Sequence, residues 1–210
     1  TRSEFRPRPM KSFAGRKFCG SLSGSSMVAA ARHGFGNMVL MLPQRGKEVP
    51  PDQYRQVWQD VHQDDSVPPP PMLSGNYYIH EDGDYAREQG EKYLANTMRA
   101  AVQNYALNRP GTFAKVTGYE QYENMMLHSE EAIDAYCADF GKNVVAGTPQ
   151  QILDRMWELK EIYQPQGFFP HVHFGGMSQD DAVRSIRMFA QTVMPELKSW
   201  QADTSIDDLF

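Results

Sequence analysis

The sequence predicts an α/β fold in which a parallel sheet forms about half of a (β/α)8 TIM barrel. Strand-like and helix-like segments alternate along the 210 residues, as they do in parallel sheets whose strands are joined by right-handed crossover helices. The pattern yields four strand segments, whereas a complete barrel has eight strands and about 250 residues. We therefore expect a single domain over residues 1–210, with about four β/α units and a helical insertion at 106–144 before the last strand.

The first β/α unit is predicted at 17–33. The segment 17–22 is a short strand candidate, and the sequence SGSS at 23–26 leads into a helix of small residues at 27–33. Gly34 then follows the helix, at the position where glycine is favoured because it adopts a left-handed conformation without strain. This unit places a serine-rich loop directly after a strand.

The second unit begins with a nearly continuous apolar run at 37–42. Such a run is typical of a parallel strand that is covered on both faces. Asp52 is then placed to cap a helix that extends to about His62, with Tyr54 and Trp58 on its apolar side.

The third unit follows four consecutive prolines at 68–71, which forbid a helix and keep the chain extended. A strand is predicted at 72–80, and the longest helix is predicted at about 85–105. Signals are weaker from 108 to 143, apart from a short helix at about 129–138. We interpret this stretch as the insertion.

The fourth unit has the clearest boundary signals. Thr148 is an N-cap residue and Pro149 suits the first helical position, so a helix is expected to begin there. An apolar and aromatic run at 168–174 predicts the last strand. Ser178, with Asp181 three residues later, has the spacing of a second capped helix start.

The last helix is predicted from an apolar repeat. Its members are Val183, Ile186, Phe189 or Ala190, Val193 and Leu197. Pro195 is expected to disturb the final turns, because proline lacks an N–H donor.

The composition excludes several classes of protein. The formal charge of −5, with 21 basic residues in no long run, argues against a nucleic-acid surface. No apolar stretch approaches the roughly 20 residues that span a bilayer, and the start of the sequence lacks a signal-peptide pattern, so a cytoplasmic location without membrane contact is expected. Cys19 and Cys137 are far apart, which favours two reduced thiols over a disulfide or a zinc site.

Three segments in a fixed order point to one family. They are VAGTPQQ at 145–151, FGGMS at 174–178 and VMPELK at 193–198. With most of the chain, they resemble the C-terminal half of bacterial luciferase and the luciferase-like flavin-dependent monooxygenases. The strongest of these blocks are a helix start and a helix end, so they indicate kinship and not chemistry.

The resemblance implies that reduced FMN lies at the C-terminal mouth of the barrel, with its phosphate held by the loop after the first strand of this chain. The cofactor-binding candidates are Leu22, through its backbone, Ser23, Gly24, Ser25 and Ser26. A helix N-terminus offers unpaired N–H groups, and glycine permits a close approach. The alternative is that these serines only cap the helix. The family's catalytic residues are expected in an N-terminal half, so no catalytic residue is assigned.

The function implied by the resemblance is a flavin-dependent monooxygenase that uses O₂ to insert oxygen into a small organic substrate. NAD(P)H or a flavin reductase is expected to supply the reductant. Two alternatives are a deazaflavin-dependent oxidoreductase and a non-catalytic structural or flavin-binding subunit. The 210 residues alone are expected to be inactive, with a missing N-terminal half or a partner chain covering an exposed apolar sheet face.

Three further residues are candidates for the substrate pocket. Tyr78 falls late on the third predicted strand, and His171 and His173 fall on the last one, where (β/α) barrels place their chemistry. The two-residue spacing puts both histidines on one strand face. A metal site there is disfavoured because no further ligand cluster is in register, and inert half-buried histidines are an equally good interpretation. Tyr77 and His80 could also border the same site.

Overall fold

The computed structural model describes residues 10, 13, 15–21, 23–48, 52–116 and 127–200. The strands are β1 (Phe18–Cys19), β2 (Gly36–Val39), β3 (Met72–Ile79), β4 (Val145–Gly147) and β5 (Gly167–His171). The helices are α1 (Gly24–Arg32), α2 (Asp52–His62), α3 (Gly83–Asn104), α4 (Glu130–Gly141), α5 (Pro149–Tyr163), α6 (Gln179–Met188), a π-helical turn (Phe189–Val193) and α7 (Met194–Ser199). Within this part of the chain no helix is long and apolar enough to cross a bilayer.

All of the strand pairs in the described residues are parallel, and β3 is at the centre of the sheet. β1 pairs with β2, and β2 pairs with the start of β3. Residues Met72–Asn76 of β3 pair with β5, and Tyr77–Ile79 pair with β4. β1, β4 and β5 each have a single strand partner among the described residues, so the sheet forms a half-barrel. The predicted fold class is confirmed.

One face of the sheet carries the main core. Leu73, Tyr77 and Ile79 alternate along β3 and pack against apolar side chains of α5 and the π-helical turn. On the same side, α1 and α2 pack together around Trp58. Tyr78 points the other way, because side chains alternate along a strand, and it packs with residues of α3 and α6.

The other face is partly uncovered. The strand register places four apolar side chains on it: Phe18, Met38, Met72 and Phe169. Leu40, the residue directly after β2, lies against Gly20 beyond the end of β1, and we call these five residues the open face. Leu40 is 37 % exposed and Phe169 is 49 % exposed. The expectation that the 37–42 strand is covered on both faces is therefore wrong. The expectation of an exposed apolar sheet face is met.

The short strand β4 is missing from the sequence prediction. It has three residues, of which the last, Gly147, directly precedes the Thr148 cap, so its sequence was taken for a helix start alone. The structure shows that the stretch 106–144 comes before β4, and not directly before β5. In its described part, α4 packs against α3, with Cys137 buried between them.

The helix boundaries follow the capping signals closely. Thr148 accepts a hydrogen bond from the N–H of Gln151, whose side chain accepts one from the N–H of Thr148, so α5 begins with a capping box at Pro149 as predicted. Ser178 also caps α6 by accepting from the N–H of Asp181. There, however, the Asp181 carboxylate accepts from the Ser178 hydroxyl and not from its backbone.

Candidate functional site

The serine loop joins the carboxyl end of β1 to α1. Ser23 is the N-cap, and its Oγ accepts the N–H of Ser26 at 3.2 Å. The Ser26 Oγ in turn accepts the N–H of Ser23 at 3.1 Å, which completes a capping box. The sequence folds this way because two serines three residues apart satisfy N–H groups that the first helical turn leaves unpaired.

The three hydroxyls of this loop form one cluster. The Oγ of Ser23 lies 3.1 Å from that of Ser25 and 3.0 Å from that of Ser26. A side chain at Gly24 would meet nothing within 4 Å, so the space beside the helix start is open. Hydroxyl donors, a helix N-terminus and open space suit a phosphate group. Capping accounts for the same serines, so their role in binding stays a prediction.

Leu22 lies outside the described residues, so the predicted backbone contact of this residue stays a prediction. Its neighbour Ser21 is described, and this residue is buried, with only 5 % of its surface exposed. The loop therefore has a buried serine before the helix and three partly or fully exposed serines at the helix start.

Tyr78 lies in the core. Its side chain is 1 % exposed and meets Tyr93 edge-on, with ring centroids 5.6 Å apart. Burial, together with the negative charge of Asp181, raises the pKa of Tyr78 to about 12. The ring is therefore neutral and packed, at the carboxyl end of β3.

His171 is the last residue of β5 and is exposed on the open face. Its Nε2 lies 2.8 Å from the hydroxyl oxygen of Ser74, which is only 1 % exposed. The ring of Phe169 packs edge-on against the imidazole of His171, with the ring centroids 5.3 Å apart. The buried hydroxyl and the neighbouring ring together hold the imidazole in one orientation.

The two predicted histidines do not share a strand face. His173 lies beyond the end of β5, and its Nε2 contacts the carbonyl oxygen of Met177 at 3.3 Å. His80 follows β3, where its Nδ1 accepts the N–H of Asp82 at 3.1 Å. The prediction failed because β5 ends at His171, so the side-chain alternation that the spacing rule assumes does not reach His173. No group of three or more metal-ligating side chains occurs among the described residues.

Sequence reasoning missed Ser74. It lies within a correctly predicted strand, where serine gives no signal of its own. Only the pairing of β3 with β5 brings it beside a residue 97 positions away. A predicted β3–β5 register would have identified the pair.

Comparisons with known proteins agree on the family. The family model described as luciferase-like monooxygenase matches residues 2–165. No curated protein matches this chain.

Several solved structures have a similar fold. A riboflavin lyase, RcaE, with modified FMN and riboflavin, has a TM-score of 0.52 and 14 % identity over 91 % of this chain and 46 % of that one. A coenzyme F420-dependent tetrahydromethanopterin reductase from Methanopyrus kandleri has a TM-score of 0.50 and 14 % identity, over 86 % of this chain and 50 % of that one. The long-chain alkane monooxygenase LadA has a TM-score of 0.50 and 17 % identity, over 89 % of this chain and 42 % of that one. This chain spans about half the length of each of these three.

Proposed function

This chain belongs to the luciferase-like monooxygenase family, and from that premise we propose that it forms the flavin-phosphate side of a flavin-dependent monooxygenase. The whole protein would use reduced FMN and O₂ to insert oxygen into a small organic substrate. NAD(P)H, directly or through a flavin reductase, would supply the electrons. The observation that carries the proposal is the serine cluster at the start of α1.

The position of this cluster supports the assignment. It follows the carboxyl end of β1, and all of the strand pairs described are parallel, so it shares its end of the sheet with His80 and His171. In (β/α) barrels the chemistry takes place at this end. A phosphate at the start of α1 would direct the rest of the cofactor over the open face.

The residues of this chain would bind and orient. The Ser23 and Ser25 hydroxyls would donate to phosphate oxygens, and the first-turn N–H groups of α1 would add their dipole. The Ser26 hydroxyl, which donates to the Ser23 carbonyl oxygen at 2.8 Å, would join them by exchanging that bond. His171, oriented by Ser74, would line the substrate side. The cofactor itself supplies the reaction with O₂ when it is bound.

A deazaflavin is the second cofactor candidate. One similar fold belongs to a coenzyme F420-dependent reductase, and another was solved with modified FMN. Both cofactors carry a phosphate-bearing side chain, so the serine cluster suits either of them. Absorption spectra of the cofactor that copurifies with the protein would distinguish the two.

The phosphate role is tested by comparing reduced FMN with reduced riboflavin, which lacks the phosphate, in anaerobic titrations of the 210-residue chain. We expect FMN to bind more tightly than riboflavin. Ser25→Ala removes one exposed hydroxyl and leaves the Ser23–Ser26 capping box intact. Because hydrogen bonds to charged groups are strong, this variant should weaken FMN binding about tenfold and leave riboflavin binding unchanged.

Ser129→Ala is the matched control, because Ser129 caps α4 and lies outside the loop. It should leave the FMN affinity unchanged. Equal binding of FMN and riboflavin, or FMN binding that Ser25→Ala does not alter, contradicts the proposed phosphate site.

A second candidate function is that of a structural or flavin-binding subunit. The observation that favours it is the open face, where Leu40 and Phe169 expose apolar surface. An apolar sheet face of this kind gains stability when another chain, or another part of the same chain, covers it. Such a subunit would bind its partner chain whether or not flavin is present.

A further inference from the structure

We propose a second binding site, for a neutral amphipathic molecule, on the helix-covered side of the sheet. A cavity of about 600 Å³ lies there between β2, the start of α2 and the end of α5. Its volume is within the range of roughly 300–1,000 Å³ that is usual for small-molecule sites. Its lining includes Asn37 and Val39 of β2, which point away from the open face because Met38 lies on that face.

The proline run forms one wall of this cavity. Residues Pro68, Pro69, Pro70 and Pro71 all line it. Each has a fixed φ angle and no N–H group, so the wall is stiff and apolar and does not collapse into the space. Tyr163, at the end of α5, lines it as well. The four consecutive prolines therefore keep this wall of the cavity rigid.

Two wall residues carry buried polar atoms that lack a hydrogen-bond partner. They are the Oγ of Ser21, in a residue only 5 % exposed, and the Oδ1 of Asn37. Leaving buried polar atoms unpaired costs stability, so their presence in the wall of one cavity needs a reason. A bound molecule that donates a hydrogen bond to Asn37 and exchanges one with Ser21, after small rotations of these side chains, supplies it.

The charges around the cavity define the chemistry of the ligand. Asp52 and Arg55 line the cavity, are exposed and carry opposite charges. The Tyr54 hydroxyl already donates to the carbonyl of Phe35 at 2.5 Å, and burial raises its pKa to about 12, so it stays neutral. The buried wall therefore contains only neutral groups, and burying a charged ligand group against it would be costly. The ligand is an apolar body with a hydroxyl or N–H donor at its inner end.

The site is separate from the serine cluster, since the cavity is lined by Ser21 and Met27 on either side of that loop but by none of Ser23 to Ser26. Its occupation does not require flavin. The probes we choose are 4-phenyl-1-butanol and its methyl ether, which have similar apolar bodies but differ in the hydroxyl donor. Binding of each to the 210-residue chain is followed by titration with NMR detection.

We expect the alcohol to bind about tenfold more tightly than the ether, as one hydrogen bond contributes. Asn37→Leu replaces the unpaired oxygen with an apolar group of similar shape, so it should keep the protein folded, raise its melting temperature and remove the preference for the alcohol. Asn104→Leu, at an exposed asparagine of α3, should change neither the melting temperature nor the preference. Met41→Trp, which fills the cavity from a 46 % exposed position, should abolish binding of both probes.

Lack of alcohol binding by the unaltered chain overturns the proposal. So does an alcohol preference that survives Asn37→Leu, or binding of both probes that survives Met41→Trp. Ser21→Ala is the second test of the polar contact, and it too should reduce the preference for the alcohol.

Discussion

Two tyrosines, Tyr77 on β3 and Tyr93 on α3, show that burial alone does not decide whether a polar group stabilises the fold. Tyr77 is 0 % exposed and its hydroxyl has no partner among the described residues, so burial raises the pKa of its phenol. Tyr93 is less buried, and its hydroxyl donates to Asp181 at 3.1 Å. Burying the Tyr77 hydroxyl removes it from water without giving it a hydrogen bond, so it destabilises the fold. The Tyr93 hydroxyl makes a hydrogen bond to a charged group, which offsets its loss of hydration.

We expect Tyr77→Phe to raise the free energy of unfolding by about 1 kcal/mol, because it removes an unpaired buried hydroxyl and leaves the ring packing in place. Tyr93→Phe should lower it by about 1 kcal/mol, because it removes a formed hydrogen bond. Urea unfolding of both variants at neutral pH measures the two changes. A loss of stability in Tyr77→Phe would mean that its hydroxyl has a partner after all.

At the scale of elements, Arg155 fixes α5 to the segment that follows β2. Its guanidinium donates to Glu48 at 2.6 Å and to the carbonyl of Pro43 at 2.9 Å, and it also reaches Glu158 at 3.2 Å. The Arg155 side chain is 10 % exposed and that of Glu48 is 12 % exposed. A pair this well shielded is coupled more strongly than the surface pairs of the chain.

The pH dependence of stability should reveal this link. Burial acts to raise the pKa of Glu48, but the hydrogen bond and charge of Arg155, together with hydrogen bonds from the backbone of Glu48 and Gly46, outweigh burial and hold the pKa below the ordinary 4.5. The pair therefore stabilises the fold fully above about pH 4.5, and this contribution is lost as the pH falls through the lowered folded-state pKa. Glu48→Gln should lower the free energy of unfolding by about 2 kcal/mol at pH 7, and the deficit should shrink below pH 4 or so.

Glu88→Gln is the control, because it removes the same charge from an exposed position on α3. Its effect at pH 7 should stay within about 0.5 kcal/mol. Denaturant unfolding of both variants at a series of pH values is the measurement. A deficit in Glu48→Gln that is constant with pH would contradict the assignment.

A π-helical turn widens the C-terminal helix just before Pro195. The N–H of Met194 donates to the carbonyl of Phe189, five residues back, and the resulting π-helical turn ends at Val193, two residues before Pro195. Proline removes an N–H donor and its ring conflicts with the carbonyl four residues earlier, so a wider turn accommodates it. The predicted disturbance is confirmed, and Val193 at the end of the turn is fully buried.

At the scale of the whole molecule, the open face is the feature that a complete barrel would not have. Its side chains continue across β1, β2, β3 and β5, and the described residues leave Leu40 and Phe169 in solvent. The serine cluster and His171 lie at one end of this face. This geometry is that of a half-barrel, and we propose that its site closes only when a second half-barrel covers the open face.

We expect the isolated chain to associate through this face. Phe169→Lys, combined with Leu40→Lys, should shift it toward monomer in light-scattering measurements at several protein concentrations, because charged side chains on an apolar face oppose association. Ile162→Lys, at a 39 % exposed position on α5, is the matched control and should leave the association unchanged. A chain that is monomeric at every concentration, with a cooperative melt, would argue against the half-barrel as an incomplete unit.

The sequence by itself determined the local structure. Capping residues and periodicity placed α2 at Asp52–His62 and the start of α5 at Pro149, because these signals depend on atoms a few residues apart. The order of strands and helices was enough for the fold class, and the ordered motifs were enough for the family.

Only the tertiary structure decided which of these residues meet. It buried Tyr78 in the core, separated His173 from the strand face of His171, and brought Ser74 to within 2.8 Å of His171. It also added β4 and formed the cavity behind Asn37. Strand register and helix packing join residues up to about a hundred positions apart, and such contacts leave no periodic or capping signal in the chain.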